Sequence, residues 1–444
     1  MGKHVNRICG ITVRGFKSIC DEQHMEIKPL TVLAGANSSG KSSMMQPLLL
    51  LKQTLENAGD PGALLLDGPN VRFTKAEQVL SHECGVACES EFSVRIELLN
   101  KRSLEFIFRR QVGKGFELTK MIYGEDEKMV VITAQMTHEE IIKIIPNQFN
   151  IAFKILNGPE LKDHQWSISR ERCFFKFVLR GSKDVKQKAR FSLLQFSPID
   201  IFIPFIKDVI HVPGLRGNPL RTYPKTAGGP NFPGTFEFYV ASIISQWQSN
   251  SGGTKLKNLS DALETMGLTW KVRAEPIDDT QVELKVGRLP RSKRGGAHDL
   301  VSIADVGFGV SQCLPVIVAL LVARSDQLVY LEQPEIHLHP LAQRKLVNIL
   351  CKEIKKGIVA VVETHSTLVL REIQTLIARG ELSKEDVALH WLQRNEKGKT
   401  TICTAELDDN GAYGDWPDDF ELIGLQSEQA YLDAVEKKEA GKKS

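Results

Sequence analysis

The sequence predicts an α/β fold with a mostly parallel sheet, interrupted by a long α+β lobe. Three observations predict it: a glycine loop between a short apolar strand and an apolar helix near the N-terminus, strands alternating with helices beyond Pro290, and about two hundred intervening residues rich in period-two patterning.

Near the N-terminus, residues 11–13, 25–27 and 30–33 read as short strands between polar turns, the last running straight into the glycine loop. From Ser42 onward Met44, Met45, Leu48, Leu49, Leu51 and Leu55 recur at helical spacing, and Pro47 is expected to bend that helix because it removes a backbone donor. Residues 92–98, 104–108 and 174–179 alternate as antiparallel strands joined by charged loops. The run HVPGLRGNPLRTYPKTAGGPNFPGT (211–235) holds too many Pro and Gly for a regular element and reads as an ordered basic loop, followed by a helix over 236–249. Then come a helix at 312–323, a strand at 328–331, a helix at 341–355, a strand at 358–362 and a helix at 368–378. The expected division is therefore an N-terminal half of the core at 1–84, a lobe at 85–290 and a C-terminal half of the core at 291–444.

The bulk composition agrees with a globular chain: 444 residues, 42% hydrophobic and 25% charged, which excludes disorder as the main state and suggests two to three domains. With 57 basic against 54 acidic side chains, the formal charge of +3 excludes a polycation that coats nucleic acid, so any such surface has to be a local patch. The eight cysteines are scattered, which fits a reducing cytoplasm; His82, Cys84 and Cys88 lie close together, but no fourth zinc ligand is near them. The start MGKHVNRICG has no apolar core of a signal peptide, no window reaches the roughly 18 apolar residues of a spanning helix, and Asn6 stands where a myristoylation signal has Ser or Thr. The expectation is a cytoplasmic protein without membrane contact.

GANSSGKS (35–42) fits the phosphate-binding pattern G-x-x-x-x-G-K-[ST] in full, with a strand before it and a helix after it. Glycines let backbone N–H groups turn inward, the helix N-terminus adds positive potential, Lys41 reaches the outer phosphates and the Ser42 hydroxyl takes Mg²⁺; Asn37, Ser38, Ser39, Gly40 and Ser43 complete the cradle. This predicts a nucleoside triphosphate bound with Mg²⁺. Leu328 to Leu331 is an apolar strand ending in Glu332, the form of a Walker B motif, which makes Glu332 the outer-sphere Mg²⁺ ligand. Residues 361–366 form another apolar strand ending in His365, placed where a γ-phosphate sensor sits at the carboxyl edge of a sheet. DVGFGVSQ (305–312) opens a helix with glycines and Ser311, a second anion site.

This order, with a glycine signature in the second half and a large insertion before it, resembles the ATP-binding-cassette heads of the RecF and SMC type. The runs ITVRGFKSI, PLTVLAGANSSGKSS, ADVGFGVSQCLP, LEQPEIHLHP and ETHS are more closely similar to the AAA-labelled ATPases related to the OLD proteins, which occur in anti-phage systems of the Septu and PARIS kinds and beside some retrons. The likeness covers about half the chain and touches the lobe only through HVPGLRGNP. It implies a P-loop ABC-type ATPase head in which two copies sandwich two ATPs head to tail, each phosphate loop facing Gly309 and Ser311 of a neighbouring copy. It also implies Gln78 as the Mg²⁺-sensing residue, His365 as the switch histidine, and Phe16, Lys17 and Ser18 bordering the adenine.

One departure matters. The usual cassette follows its Walker B carboxylate with a catalytic Glu, whereas Glu332 is followed by Gln333, which accepts no proton. Either Gln333 orients water, or Glu335 or His337 supplies the base, and slow turnover follows. OLD-type proteins carry a Toprim nuclease after the head; only residues 366–444 remain here, and the acidic Asp408, Asp409, Asp415, Asp418 and Asp419 read as a solvated turn. The resemblance therefore implies a sensor or gate of an anti-phage complex with a separate HNH or Toprim nuclease effector and a phage-derived trigger. DNA is a further partner to be weighed through the basic stretches 180–190 and 288–294. A RecF-like repair ATPase is the alternative, and a transporter's nucleotide-binding half is disfavoured by the long lobe.

Overall fold

The computed structural model describes residues 6–83, 86–87, 90–145, 165–180, 192–226, 229, 231–249, 253–290, 299–414 and 429–435. The basic stretches at 181–190 and 291–294, Cys84, Cys88, Asp415, Asp418 and Asp419 lie outside them.

Two six-stranded sheets face each other across one helix. The first holds β3 (Leu30–Ala34), β13 (Ile210–Val212), β18 (Leu328–Glu332), β19 (Val359–Glu363), β20 (Val387–Arg394) and β21 (Thr400–Thr404), in the order β13-β18-β19-β3-β20-β21; all pairs are parallel except the terminal β20–β21 hairpin. Its central strands bury both faces, as near-continuous Val, Ile and Leu runs predict. Val329, Leu331, Ala360 and Val362 face one core, whereas Leu328, Tyr330, Val359 and Val361 face the other.

On the second face lies α1 (Lys41–Glu56), packed on all sides; Leu48 to Leu51 are fully buried, each stabilising the fold by about 1.5–3 kcal/mol relative to exposure. Pro47 sits inside α1, where the segment remains helical from end to end. Above α1 runs the second sheet, β2-β1-β6-β7-β8-β9, built from β1 (Ile8–Arg14), β2 (Gln23–Glu26), β6 (Glu91–Leu98), β7 (Arg102–Gln111), β8 (Gly115–Glu125) and β9 (Lys128–Thr133), antiparallel throughout. The strict in–out alternation of β6 buries Phe92, Val94, Ile96 and Leu98 against α1 and β1.

Against the opposite face of the parallel sheet pack α4 (Val240–Ser249), α6 (Phe308–Val322), α7 (Pro340–Ile354) and α8 (Thr367–Ala378), with α5 (Thr254–Thr265) beside α6. A small antiparallel sheet of β14 (Tyr223–Pro224), β15 (Val272–Pro276), β16 (Gln281–Gly287) and β17 (Leu300–Ser302) joins this layer. The remaining elements are a separate three-stranded sheet of β10 (Gln165–Glu171), β11 (Phe174–Arg180) and β12 (Ser192–Phe196), the short ladder β4 (His82–Glu83) with β5 (Val86–Ala87), and the short helices α2 (His138–Ile144) and α3 (Ile203–Lys207).

Two expectations are corrected. The stretch 85–290 is not one inserted body: β6–β9 extend the sheet that β1 begins, β13 is the edge strand of the parallel sheet, and α4 belongs to the helical layer. The run 211–235 is not wholly irregular, because His211 and Val212 lie in β13 and Tyr223–Pro224 forms β14. His211 pairs in register with Tyr330, so the β-ladder of a neighbour that ends in the site overrides the local Pro and Gly content.

Candidate nucleotide site

The parallel sheet ends, at its carboxyl edge, in a cavity of about 820 Å³. The order β18-β19-β3 puts β19 between the Walker B strand and the phosphate-loop strand. The loop 35–40 leaves β3 and enters α1 through Gly40, whose φ of 105° is left-handed; a Cβ there would sit 2.4 Å from Thr400 Oγ1, so only glycine closes this turn. At Gly35, with φ 144°, a Cβ would sit 2.2 Å from the Leu392 carbonyl oxygen. The β20–β21 hairpin braces the loop from outside: Thr400 Oγ1 donates to the Ser39 carbonyl at 2.7 Å and lies 2.7 Å from the Ser18 hydroxyl.

Lys41 is buried and folds back on its own loop, donating to the carbonyls of Gly35 (3.0 Å) and Ala36 (2.8 Å). Burial lowers its pKa to about 8, with Glu363 and Glu335 opposing. Asn37, Ser38, Ser42 and Ser43 line the cavity with it. The buried Ser39 hydroxyl has no hydrogen-bond partner among the described residues. A polyphosphate with a divalent cation fits this donor set, in which helix-start backbone, an ammonium, hydroxyls and a carboxylate converge; among the described residues no group of three or more His, Cys, Asp or Glu forms an all-protein metal cage.

Each residue of the run 363–366 has its own contact. Glu363 accepts from the Ser42 hydroxyl at 2.8 Å and from Tyr330 on the other oxygen; burial, then the charge of Glu332, raises its pKa to about 7. Thr364 donates to Glu335 at 2.6 Å. His365 lines the cavity, and burial followed by the charge of Lys41 lowers its pKa, leaving a neutral imidazole opposite the loop. Ser366 caps α8 by accepting from the Val369 N–H at 3.2 Å.

Glu332 is held away from Ser42. His211 Nε2 lies 3.1 Å from one of its oxygens and the Gly214 N–H donates to the other at 3.0 Å. Burial pushes its pKa up, but the His211 hydrogen bond and charge, the Gly214 N–H and Tyr330 together outweigh it and hold the carboxyl below its usual range. The Asn70 amide donates to His211 Nδ1 at 3.1 Å, leaving Nε2 as the protonated nitrogen toward Glu332, and the imidazole stacks on Tyr330 at 5.3 Å. Arg216, also buried, donates to the carbonyls of Glu332 (3.4 Å) and Gln333 (3.0 Å), while its own carbonyl accepts from Gln312 on α6 at 2.8 Å.

The remaining expected residues divide. Gln333 lines the cavity in a left-handed conformation (φ 43°) and donates its N–H to the Glu363 carbonyl. Glu335 is buried, with one oxygen taken by Thr364 and the His365 N–H and the other without a partner; it ties two loops together and does not line the main cavity. His337 is exposed and faces Phe308 at 6.0 Å. Gly309 and Ser311, at the start of α6, are not part of the cavity lining. Gln78 lines it, but its carbonyl oxygen is engaged by the Thr74 N–H at 2.9 Å. Lys17 lines it too, bonded to Gln46 at 2.7 Å and set 4.7 Å over Phe73, and so does Ser18. Phe16, expected beside the adenine, is fully buried between Phe73 and Phe92 and is not among the residues that line the cavity. Missed by sequence reasoning were Glu363, Tyr330, His211 and Arg216, together with Arg394 and Lys397 on the rim; the charged turn RNEKGK (394–399) was the only signal for the last two. Arg288 is paired with Asp299 at 2.6 Å, so it is no free phosphate contact.

The phosphate loop on β3, the neighbouring histidine strand β19 and strand β18 beyond it define a P-loop ATPase fold, mixed α/β with parallel and antiparallel sheets. A family model described as "AAA domain, putative AbiEii toxin, Type IV TA system" matches residues 179–371. No curated protein matches the chain. Among solved structures the chain is similar to the SmcHead bound to the C-winged helix domain of ScpA, at 10% identity and a TM-score of 0.48, covering 90% of this chain and 98% of that one. It is also similar to the SMC head domain from Thermotoga maritima (10% identity, TM-score 0.39, 90% and 99% covered). A third likeness is to the Smc head with an extended coiled coil bound to the C-terminal domain of ScpA from Pyrococcus furiosus (10% identity, TM-score 0.46, 97% and 100% covered). No helix among the described residues is long and apolar enough to cross a membrane.

Proposed function

We propose that the protein binds ATP with Mg²⁺ and hydrolyses it slowly, serving as the nucleotide-dependent gate of an anti-phage complex whose nuclease is a separate chain. The observation that carries the catalytic part is the make-up of the cavity: Lys41 and Ser42 stand ready for phosphates, while the position after Glu332 is held by Gln333, and Glu335, the next carboxylate along the chain, is occupied by Thr364 and the His365 N–H. Mg²⁺ would be held by Ser42 with a neighbouring carboxylate and would neutralise phosphate charge. Gln333 orients water, and neutral His365 donates toward the terminal phosphate. Binding is strong in this arrangement and proton removal weak, which suits a switch more than a motor.

A second cavity of about 570 Å³ shares Asn37, Gln333 and His365 with the first and continues to His337, which neighbours Phe308 at the start of α6. Head-to-tail association, in which Gly309 and Ser311 of one copy close over the phosphates of the next, rests on the sequence resemblance. The defence setting rests on the sequence resemblance and is supported by the toxin–antitoxin wording of the matching family model.

The test is ATP hydrolysis by the wild type, Lys41→Ala, Glu335→Ala and Gln333→Glu, read with mass measurement in ATP. Slow wild-type turnover, none in Lys41→Ala and a gain in Gln333→Glu are expected. Brisk turnover that ignores the loss of Glu335 and does not rise in Gln333→Glu would sink the reading.

A further inference from the structure

We propose that Glu363, not Glu332, is the carboxylate that holds the divalent cation beside Ser42. This rests on the reading of the cavity as a site for Mg²⁺ and a nucleoside triphosphate.

Sheet order comes first. Glu363 is the last residue of β19, in register with Leu33 of β3 on one side and with Glu332 of β18 on the other. Adjacent strands lie about 4.8 Å apart, so Glu363 is one strand from the phosphate-loop strand and Glu332 is two, roughly 10 Å away. The shorter reach belongs to Glu363.

Contacts decide the rest. A serine hydroxyl that offers its lone pairs to a cation gives its proton to a neighbouring acceptor, and the acceptor of the Ser42 proton is Glu363 Oε2 at 2.8 Å. Tyr330 fixes the other oxygen, so the carboxylate is oriented before any ligand arrives. Glu363 also lines the cavity, whereas Glu332 is not among its lining residues. The partners of Glu332 lie outside the cavity lining, His211 at 3.1 Å from one oxygen, the Gly214 N–H at 3.0 Å from the other and Arg216 at 3.4 Å from its carbonyl, whereas Ser42, the partner of Glu363, lies in that lining. Moving Glu332 onto the cation would strip a buried histidine and a backbone donor of their acceptor, which costs about 1–3 kcal/mol for each group left unsatisfied. Glu332 is thus a positioning residue: it anchors the 211–217 loop, and through Arg216 the backbone of Gln333.

The experiment titrates a fluorescent ATP analogue into the full chain with and without Mg²⁺, and follows Mn²⁺ uptake in the presence of ATP by electron paramagnetic resonance. Glu363→Gln should bind the Mg²⁺-free nucleotide within about twofold of wild type, which shows that the fold and the phosphate loop are intact. It should lose about tenfold or more of the affinity for Mn²⁺ and of the tightening by Mg²⁺. Glu332→Gln should keep both within about threefold. If Glu332→Gln loses the metal response and Glu363→Gln keeps it, the proposal is overturned. Should Glu363→Gln fail to bind even Mg²⁺-free nucleotide, Glu363→Asp, which keeps a carboxylate one methylene shorter, is read by the same criterion: a metal response as strong as the wild type's overturns the assignment, and one weakened severalfold supports it. A wild type that binds no nucleotide at all refutes the underlying reading of the cavity, an outcome visible without any Glu variant.

Discussion

The phosphate side and the carboxylate side of the cavity face each other but are held by contacts of opposite range. Lys41 finds its acceptors five and six residues away, in the loop that precedes its own helix. Glu332 finds its partners 118 and 121 residues away, in a loop that reaches the site only because β13 pairs with β18. Local geometry therefore builds the cationic half, and tertiary packing builds the half that orients charge and water. The lesson is that nucleotide affinity and turnover should separate on mutation.

The largest effect expected is on the local half. Lys41→Ala removes the only ammonium donated into the phosphate loop itself among the described hydrogen bonds, and charge-assisted bonds of this kind are worth about 3 kcal/mol, so ATP affinity should fall about 100-fold in a direct titration. A loss of less than about threefold would mean that the rim cations Arg394 and Lys397 carry the phosphates instead.

pH probes the same half without mutation. Because burial lowers the Lys41 pKa to about 8, the ammonium that meets a phosphate is already half lost at that pH in the free protein. Binding must then recover the proton: affinity should be flat below pH 8 and fall about tenfold per pH unit above it. Titrations between about pH 7 and pH 9.5 check this, and an unchanged affinity at the alkaline end contradicts the assignment of Lys41 as the phosphate cation.

The long-range half is broken by Arg216→Gln. Its guanidinium holds two backbone carbonyls, those of Glu332 and Gln333, so its loss loosens Gln333 while leaving the phosphate loop untouched. Turnover should drop about fivefold with nucleotide Kd within about twofold, and stability should fall by about 1–3 kcal/mol. A parallel loss of affinity would show that the two halves are not separable.

The same contrast explains what was legible in the residues. GANSSGKS is contiguous, so its role could be written down from eight letters, and the strands at 30–34 and 328–332 announce themselves by apolar runs that end in a glycine loop and in a carboxylate. Glu363 escaped because strand order is not written in a single chain: without knowing that β19 lies between β3 and β18, the histidine two residues later seemed the only chemistry on that strand. His211 and Arg216 were hidden in a Pro- and Gly-rich run whose pairing with β18 overrides its local preference. Phe16 was placed at the adenine by resemblance, yet the sheet of β1 and β6–β9 covers it with Phe92.

The smallest effect expected falls on Gln78, and it sharpens the boundary between the halves. Its side-chain carbonyl accepts from the Thr74 N–H at 2.9 Å and from the Lys75 N–H at 3.3 Å, the closing contacts of the short turn at Ala76–Gln78. An oxygen already given to two backbone donors serves the turn first. Gln78→Ala should therefore cost about 0.5–1 kcal/mol of stability, the range of a lost capping contact, and change the Mg²⁺ dependence of nucleotide binding by less than about twofold. Calorimetric unfolding beside the Mg²⁺ titration separates the two roles: a metal response lost without a change in stability would return Gln78 to the cation, and the reverse result confines it to the rim of the cavity.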